Sequence, residues 1–509
     1  MKHFAGYGAA EGGRDYDAAY IPETLMRNVY LPPFHAAVKA GVGSAMSAYM
    51  DLNDVPATGN RWLLHDVLRQ EWKFKGFVVS DANSVKTLKA HGYARDLSEA
   101  AVFALSAGVD MEMAVDATAY SQNLANSVRG GKITEQQIEA AARRILEAKV
   151  RLGLLDHPYV DEARSREVLS TPEHRVAARI AAERSAVLLR NDGNVLPLKK
   201  GAYRKIAVIG PLADSAKDTL GSWTLREDLN ETVTVLKGLR NKLGSEVEVS
   251  YGPGVQISRK FPSFFDEIQQ LKASPSWTPE EARTEFAKAV GLAGSSDLAV
   301  LVLGEAQNMS GEAASRQSLD LPGKQMELLQ AVAATGKPVV LVLINGRPLD
   351  LRWASQHIPA ILEAWYPGTQ GGNAVANLLF GDAVPGGKLP ISWPRNVGQV
   401  PAYYAHNMTQ EPEKQDKRYW EEESTPLYPF GYGLSYSTLT FSNLKLSRTQ
   451  IKPGQTVDVA VDVENTGTST ADEVVQLYIH QQYGSTSRPV RELKGFERIT
   501  LAPREKKAI

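Results

Sequence analysis

The stretch FKGFVVSDANSV, residues 74–85, is an apolar and β-branched run that ends in a carboxylate, Asp81. In barrels and doubly wound sheets the active site lies at the carboxyl ends of the strands, so an acid in this place is a candidate for catalysis. The competing interpretation is a helix N-cap, because Asp is a favoured cap and a helix is predicted to begin near Ser84. The pattern by itself leaves both roles open.

Other polar side chains occupy comparable positions. Lys2 and His3 offer several donors, which would suit the hydroxyls of a sugar or a phosphate, although a histidine can equally be a satisfied core residue. Two acids lie in the loop GEAQNMSGEAASR, and loop glutamates are usually solvated. Met46 and Tyr49 are of residue types that usually pack in the interior of a protein. The remaining candidates are Asp110, Glu112, Glu305 and Glu312.

The composition excludes several classes of function. The chain of 509 residues has no cysteine, which excludes disulfides, cysteine nucleophiles and thiolate metal sites. Its net charge of −1 offers no attraction to nucleic acid or to an anionic membrane, and no apolar run is long enough to span a bilayer. The nine histidines include no HExxH pattern, and neither a phosphate-binding glycine motif nor a GxSxG elbow occurs. We therefore expect no metal, no cofactor, no nucleic acid and no membrane among its partners.

The first 153 residues alternate strand-like and helix-like segments, which is the rhythm of an α/β barrel. The best-marked helix is predicted at 134–152, where Thr134 and Gln137 form a capping box and Gly153 ends the pattern. Only four such units occur here, whereas a closed barrel needs eight in about 250 residues. Either this part is a small open sheet or sequence upstream is missing.

Two more regions follow a connector that contains one helix, at about 171–184. Buried strand patterns such as KIAVIG and DLAVLVLG, with helices between them, predict a doubly wound sheet covered on both faces. From about residue 441 the pattern alternates with period two, which indicates a β-sandwich that the chain covers only in part. The predicted divisions are a half-barrel at 1–155, a connector at 156–203, an αβα sandwich at 204–400, a linker at 401–440 and a partial β-sandwich at 441–509.

Several longer motifs occur in order along nearly the whole chain. They are KHFAGYGAAEGGRDY, GFVVSD, AVLLRNDGNVLPL, GEAASR, NGRPL, AWYPGTQGGNAVANLLFGDAVPGGKLPISWPR and YPFGYGLSY. Together they resemble glycoside hydrolase family 3, specifically its three-domain bacterial β-glucosidases. The resemblance implies an α/β fold class: the C-terminal half of a (β/α)8-type barrel, then an αβα sandwich and part of a fibronectin type III-like domain. It also implies that the chain is cut at both ends.

The resemblance also implies roles for individual residues. The nucleophile of the family is the Asp of the SD motif, here Asp81, and the acid/base is a loop glutamate that GEAASR places at Glu312, with Glu305 as the fallback. We expect a retaining double displacement, in which the aspartate attacks the anomeric carbon and the glutamate serves as acid and then as base. A nearby Lys2 would help to keep Asp81 ionised. The substrate-binding residues that the motifs imply are Lys2, His3, Met46 and Tyr49.

The expected reaction is exo-acting removal of terminal β-D-glucosyl residues from β-glucosides and cello-oligosaccharides. β-Xylosidase and exo-β-glucanase stay open as alternatives, and so does a non-catalytic carbohydrate-binding protein. A β-N-acetylglucosaminidase is disfavoured, because those relatives have KHFPGHG where this chain has KHFAGYG. We expect a periplasmic or secreted location, and homo-oligomerisation is left open.

Two features depart from the family pattern. Many members have a stacking Trp after the nucleophile, where this chain has Ala82, so that sugar platform cannot be assigned. The Asp and Arg that hold the outer hydroxyls of the sugar in the family belong to upstream strands and have no counterpart in this chain. We therefore expect the polypeptide, taken alone, to bind substrate poorly.

Overall fold

The computed structural model describes residues 1–116, 118–224, 227–259, 261–268, 275–409 and 417–509. The chain divides into two compact units, Met1–Val168 and Leu169–Ile509. The finer division predicted from the sequence, with boundaries at residues 155, 203, 400 and 440, stays a prediction.

The first unit is made of short strands and helices with two π-helical segments, Met26–Tyr30 and Trp62–Glu71. Its strands are β1 (Ser44–Met46), β2 (Asp51–Leu52), β3 (Val55–Pro56) and β4 (Phe77–Val79). Its α-helices are α1 (Glu23–Leu25), α2 (Leu31–Lys39), α3 (Ser84–Ala90), α4 (Leu97–Ala107), α5 (Ala119–Arg129), α6 (Glu135–Arg151) and α7 (Glu162–Val168).

Four extended segments of this unit lie side by side and point in the same direction. Strand β1 pairs in parallel with β4. Single parallel bridges extend the row on both sides, from Phe4 to Ser47 and from Val79 to Met111. Two of the predicted strand-like segments are thus confirmed as the strands β1 and β4. The other two segments, around Phe4 and Met111, each make one bridge. Their carboxyl ends nevertheless lie at the same edge, because all four segments run in parallel.

The helix predicted at 134–152 is confirmed as α6, together with its capping box. The side-chain oxygen of Thr134 accepts a hydrogen bond from the backbone N–H of Gln137 (3.3 Å), and the Gln137 side chain accepts one from the Thr134 N–H (2.9 Å). Gly153 follows with a φ of 70°, a left-handed conformation that stops a helix. The local sequence was sufficient here because both capping partners are three residues apart.

A buried cluster of charges ties strand β4 to two helical segments. Asp110 accepts hydrogen bonds from the Val78 N–H (2.7 Å) and from Arg144 of α6 (2.6 Å). Arg69, in the second π-helical segment, bonds the same carboxylate. The side chains of Asp110 and Arg69 are 2% and 8% exposed, so these charges compensate each other away from water. Asp110 therefore holds the strand that leads to Asp81.

The second unit contains the remaining elements. Its strands are β5 (Val187–Asn191), β6 (Lys205–Ile209), β7 (Glu248–Gly252), β8 (Leu298–Gly304), β9 (Val339–Ile344), β10 (Ala360–Glu363), β11 (Leu439–Leu446), β12 (Val459–Asn465), β13 (Ala471–Ile479), β14 (Glu492–Leu501) and β15 (Lys506–Ala508). Its α-helices are α8 (Pro172–Ser185), α9 (Ala216–Leu220), α10 (Val235–Leu243), α11 (Phe264–Ile268), α12 (Pro279–Gly294), α13 (Gln325–Ala333), α14 (Arg352–His357) and α15 (Gly371–Leu379).

Strands β5 to β10 form one sheet in the order β5-β10-β9-β8-β6-β7. Strands β6 to β10 are parallel to one another, and β5 joins the β10 edge in the antiparallel direction. Alternate side chains enter two separate cores: Val300 and Val302 of β8 lie in one, and Leu301 and Leu303 lie in the other. A sheet covered on both faces explains why its central strands read as continuous apolar runs.

The sequence did not predict β5 and β7. Strand β5 lies in the stretch assigned to the connector, and its antiparallel pairing with β10 is a tertiary contact that no local pattern encodes. Strand β7 lies at the other edge of the sheet and is only half-buried, so it lacks the apolar run of a central strand. Strand β10 ends at Glu363, and the chain turns at Trp365 with a φ of 55°.

The C-terminal part is made of antiparallel strands. Strands β11, β12 and β15 form one sheet, and β13 pairs with β14 in another. Val463, Val475, Ile499 and Leu501 from both sheets share a small core. The period-two pattern from about residue 441 is therefore confirmed as β-structure, while its description as a sandwich stays a prediction. Within the described residues, no α-helix has both the length and the apolarity needed to cross a bilayer.

We expect replacement of Asp110 by Ala to destabilise the first unit by about 3–5 kcal/mol, because it removes the counter-ion of the buried Arg69 guanidinium. The midpoint of urea unfolding, followed by tryptophan fluorescence, measures the effect. Asp116→Ala is the matched control, since the bond of Asp116 to Lys86 (2.6 Å) is exposed to water and contributes little. Equal shifts for the two variants would contradict the assignment of Asp110.

Candidate active site

Asp81 lies in the turn between β4 and α3, and backbone bonds hold this turn in place. The Ser80 N–H donates to the carbonyl of Met111, and the Ser80 hydroxyl donates to the Asp81 carbonyl (both 2.9 Å). That hydroxyl also accepts from the Met113 N–H (2.9 Å), which joins the turn to the neighbouring extended segment. Ser80 is therefore the residue that orients the strand end, and the Asp81 side chain is left to face other groups.

The structure contradicts the helix-cap interpretation of Asp81. The residue before α3 is Asn83, and its side chain makes no capping bond. The Asn83 Oδ1 atom accepts instead from the Val115 N–H (2.8 Å). Asp81 Oδ1 accepts from the N–H of the next residue, Ala82 (2.8 Å), which lies outside the helix. The carboxylate is therefore not needed to begin α3.

His3 is the side chain that the structure brings to Asp81. Its Nε2 atom lies 3.2 Å from Asp81 Oδ2. The backbone of the next residue, Phe4, donates to the Met46 carbonyl (2.8 Å), so the parallel row of segments sets the place of His3. Lys2 is exposed, and the contacts described for Asp81 do not include its ammonium group. His3 is thus a group that keeps Asp81 ionised, and the expected contribution of Lys2 stays a prediction.

The other two predicted binding residues lie on or just after β1. The Tyr49 hydroxyl donates to the Ala82 carbonyl (2.8 Å), so it fixes the backbone that follows Asp81. Met46 pairs with Val79 in the strand register and is half-buried. Tyr49 is thus part of the support of the carboxylate, whereas the described contacts of Met46 are those of its backbone.

Asp81 is 9% exposed, and its environment favours the charged form. Burial by itself raises the pKa of a carboxyl group. Four contributions outweigh burial: the bond to His3, the Ala82 N–H, the charge of His3 and the Tyr49 hydroxyl. The pKa of Asp81 therefore lies below its ordinary value. At neutral pH the group is therefore an anion, which is the form in which a carboxylate can act as a nucleophile.

The two other strand-end acids of the first unit have structural roles. Asp110 is bound by Arg69, Arg144 and the backbone of β4, as described above. Glu112 accepts from the N–H groups of Ala119 (2.9 Å) and Tyr120 (2.8 Å), which begin helix α5. A carboxylate that satisfies the first N–H groups of a helix is engaged in capping. Among these acids, Asp81 is the one that the structure leaves suited to chemistry.

The two acids of the loop after β8 lie in different environments. Glu305 is fully buried, and its Oε1 atom accepts from Arg316 (2.7 Å) and lies 3.3 Å from Arg347 Nε. Glu312 is half-buried in a turn, followed by Ala313 with a φ of 51°. A general acid must be reachable by its substrate, so Glu312 fits this requirement and the fallback Glu305 does not.

Sequence reasoning missed an aromatic group around Asp81. The Tyr7 ring contacts the His3 ring edge-on at 5.3 Å, and the Tyr16 ring contacts Tyr49 in the same way at 5.3 Å. Burial and a hydrogen bond with Asp15 raise the pKa of Tyr7, so its hydroxyl keeps its proton. Tyr7, Asp15 and Tyr16 belong to the motif KHFAGYGAAEGGRDY. Its density of polar and aromatic residues was a signal, but no periodicity in it shows which side chains turn toward Asp81.

Trp223 is a second residue that the sequence did not single out. Its side chain is exposed, and its indole lies next to the position where a side chain on Gly311 would begin. Gly311 directly precedes Glu312. An exposed indole in this place offers an apolar face on which a ring-shaped ligand can pack.

Three segments of the chain match known protein domains. Residues 1–148 match the Glycosyl hydrolase family 3 N terminal domain, and residues 186–436 match the Glycosyl hydrolase family 3 C-terminal domain. Residues 473–509 match a Fibronectin type III-like domain.

The chain is similar to curated proteins over its full length. It is 44% identical over 520 residues to the periplasmic β-glucosidase of Salmonella typhimurium, covering 100% of this chain and 67% of that protein. It is 42% identical over 526 residues to a β-xylosidase of Formosa agariphila, covering 100% of this chain and 69% of that protein. The chain thus spans about two thirds of the length of these relatives.

The chain is also similar to solved structures over its full length. The structure of a β-glucosidase from Listeria innocua in complex with glucose superposes with a TM-score of 0.89 at 37% identity, covering 100% of this chain and 67% of that one. A β-glucosidase from Erythrobacter marinus superposes with a TM-score of 0.90 at 39% identity, with the same coverage of both chains.

We expect the variant His3→Gln to raise the pKa of Asp81. The charge of His3 is lost, while the burial that raises the pKa remains. Carboxyl carbon NMR with labelled aspartate measures this pKa, and the signal is assigned by its absence in Asp81→Asn. His91→Gln is the matched control, because it removes another His–Asp pair, with Asp51 at 3.0 Å. An Asp81 pKa that is unchanged in His3→Gln would refute this account of the ionised carboxylate.

Proposed function

The chain belongs to glycoside hydrolase family 3, and we propose that it performs the chemistry of a β-glucosidase, removing terminal β-D-glucosyl residues with retention of configuration. One observation carries the proposal: an ionised, buried carboxylate, Asp81, stands at the end of a parallel strand with His3 at 3.2 Å. The glucosidase names of the relatives at 44% and 37% identity support the choice of sugar.

In the first step Asp81 attacks the anomeric carbon of the glucosyl unit. A C–O bond forms between the carboxylate and the sugar while the bond to the leaving oxygen breaks. Glu312 gives its proton to that oxygen, so the aglycone departs as a neutral alcohol. The low pKa of Asp81 supports its part in this step, because a protonated carboxyl would not attack.

In the second step the glycosyl-enzyme intermediate is hydrolysed. Glu312, now a carboxylate, takes a proton from water, and the water oxygen attacks the anomeric carbon. The bond to Asp81 breaks and the carboxylate is regenerated. Two inversions at the same carbon give a product with the β configuration of the substrate.

The positions of the predicted residues support sugar-binding roles for them. Lys2 is exposed at the end of the first extended segment, where its ammonium group can donate to sugar hydroxyls. His3 combines contact with the sugar and contact with Asp81, and Tyr49 holds the Ala82 carbonyl beside the nucleophile. Met46, at the end of β1, contributes an apolar side chain to sugar binding.

A second candidate substrate class is the β-xylosides. It is favoured by the relative at 42% identity, which is a β-xylosidase. A xyloside lacks the hydroxymethyl group of a glucoside, so the two classes differ in the space and hydrogen bonds required around that group. We place the enzyme outside the cytoplasm, in line with the periplasmic relative and the absence of cysteine.

The roles of the two carboxylates are tested with alanine variants and sodium azide on an activated glucoside. Asp81→Ala is expected to lose at least about 10³-fold in kcat, the scale of losing a group that acts in covalent catalysis. Azide then fits the vacated space and attacks from the face of the missing carboxylate, which yields the α-glucosyl azide. In Glu312→Ala the intermediate still forms, and azide attacks it from the opposite face to yield the β-glucosyl azide.

Glu305→Ala is the matched control for this experiment, since Glu305 is an acid of the same loop but fully buried. It is expected to yield no glucosyl azide. An azide product from Glu305→Ala, with none from Glu312→Ala, would move the acid/base role to Glu305. Exchange of the α and β products between the Asp81 and Glu312 variants would reverse the two roles.

The sugar is tested by comparing kcat/KM of the intact enzyme on the 4-nitrophenyl β-glucoside, β-xyloside and β-N-acetylglucosaminide. We expect the glucoside to be the best substrate and the N-acetylglucosaminide the poorest. A higher value for the xyloside would select the second candidate. Binding of glucose without turnover of any of the three would select the non-catalytic carbohydrate-binding protein.

A further inference from the structure

The loop that carries Glu312 has little regular structure of its own. It begins after β8 and contains one short helical turn, Gln307–Met309, before it reaches Gly311 and Glu312. A general acid must reach hydrogen-bond distance of the leaving oxygen, about 2.6–3.2 Å, and a loop does not hold a side chain that closely unless other groups pin it. Two arginines donate to the loop carbonyls: Arg259 to those of Asn308 and Ala313 (3.3 Å), and Arg347 to those described next.

Arg347 bonds the loop on both sides of Glu312. Its Nη2 atom donates to the carbonyls of Met309 (2.5 Å) and Ala314 (2.9 Å), which lie before and after the acid. Arg347 follows β9 by three residues, so it comes from a strand end next to the one that starts the loop. One guanidinium group thus joins the two arms of the loop to the edge of the sheet.

A buried acid keeps Arg347 in place. The Nε atom of Arg347 lies 3.3 Å from Glu305 Oε1, and Asn345 donates to the Arg347 carbonyl (2.9 Å). The Asn345 amide also donates to Glu363 (3.1 Å). Burial, together with the charge of Glu305, raises the pKa of Glu363 to about 8, so this second acid is neutral at pH 7. The negative charge that balances Arg347 is therefore that of Glu305.

Arg316 provides a comparison within the same cluster. Its guanidinium bonds Glu305 Oε1 (2.7 Å) as Arg347 does, but its other bond goes to the carbonyl of Asp320 (2.8 Å), beyond the turn of Glu312. Arg316 and Arg347 therefore share a counter-ion and differ in what they hold. A comparison of the two arginines therefore separates the effect of losing a charge next to Glu305 from the effect of losing the bonds to the Met309 and Ala314 carbonyls.

We propose that Arg347 is a positioning residue for general acid catalysis: by binding the carbonyls of Met309 and Ala314 it sets where the Glu312 carboxyl points. This inference rests on the proposed role of Glu312. Arg347 makes no contact with the reacting atoms in this account. Its removal loosens the loop and lowers the fraction of bound substrate whose leaving oxygen receives a proton.

The test uses leaving groups that need the acid to different degrees. Phenyl β-glucoside has a poor leaving group and requires protonation, whereas 2,4-dinitrophenyl β-glucoside departs without it. We expect Arg347→Met to lower kcat/KM on the phenyl glucoside by about 10²-fold, within the range for general acid catalysis. On the 2,4-dinitrophenyl glucoside the loss should stay below about 3-fold, since the attack by Asp81 is not affected.

Arg316→Met is the matched control, and it is expected to lower both values by the same factor. Arg347→Lys is the second variant, in case the methionine variant does not fold. A lysine keeps the charge next to Glu305 but cannot form the planar two-armed contact, so the ratio of the two kcat/KM values should lie between those of wild type and Arg347→Met.

The outcomes separate this inference from the proposed function. A strong leaving-group dependence in both Glu312→Ala and Arg347→Met supports the role of Arg347 and the acid/base role of Glu312. The dependence in Glu312→Ala, with wild-type ratios in Arg347→Met and Arg347→Lys, overturns the role of Arg347 alone. Equal losses on both substrates in Arg347→Met, as in Arg316→Met, also overturn it. Absence of the dependence in Glu312→Ala overturns the acid/base assignment on which the inference rests.

Discussion

The contact between His3 and Asp81 is the interaction on which the candidate site depends. Taking a carboxylate out of water costs several kcal/mol, so a buried Asp would bind a proton unless donors replaced the lost solvent. His3, the Ala82 N–H and Tyr49 supply that replacement, and they outweigh burial in the pKa of Asp81. His3, Tyr49 and Asp81 come from the ends of three different parallel segments. The parallel arrangement is thus the condition for an ionised nucleophile at this place.

The same rule explains why the other acids are not available for chemistry. Asp110 is surrounded by two arginines and a strand N–H, Glu112 caps the first turn of α5, and Glu305 faces two arginines in the second unit. A carboxylate that satisfies buried donors is part of the structure, because removing it would leave those donors without partners. What distinguishes Asp81 from these acids is therefore the set of groups around it, and residue type alone cannot show it.

In each unit a side chain from a strand end binds the backbone of the turn that carries the candidate catalytic acid. In the first unit the Tyr49 hydroxyl, from beyond β1, binds the carbonyl that follows Asp81. In the second unit the Arg347 guanidinium, from beyond β9, binds carbonyls on both sides of Glu312. In both cases a donor from a neighbouring strand end fixes the backbone of the turn that carries the acid. A side chain at a strand end is suited to this task because the sheet fixes its origin.

The sequence by itself determined the features that depend on neighbours along the chain. Local patterns were sufficient to predict the capping box of Thr134 and Gln137, the buried central strands β8 and β9, and the place of Asp81 at the end of β4. The interactions that specify these features span a few residues or repeat with a fixed period. The family motifs added the order of the domains and the candidate roles of Asp81 and Glu312.

Only the tertiary structure decided which groups meet. It brought His3 to Asp81, rejected the helix-cap role, paired β5 with β10 and placed Arg347 against the carbonyls of Met309 and Ala314. These contacts join residues far apart in the chain. Their geometry depends on how the sheets bring strand ends together, and no sequence period or spacing records that. The chemistry of each acid follows from those contacts, because the surroundings of a carboxyl group set its charge and its freedom to react.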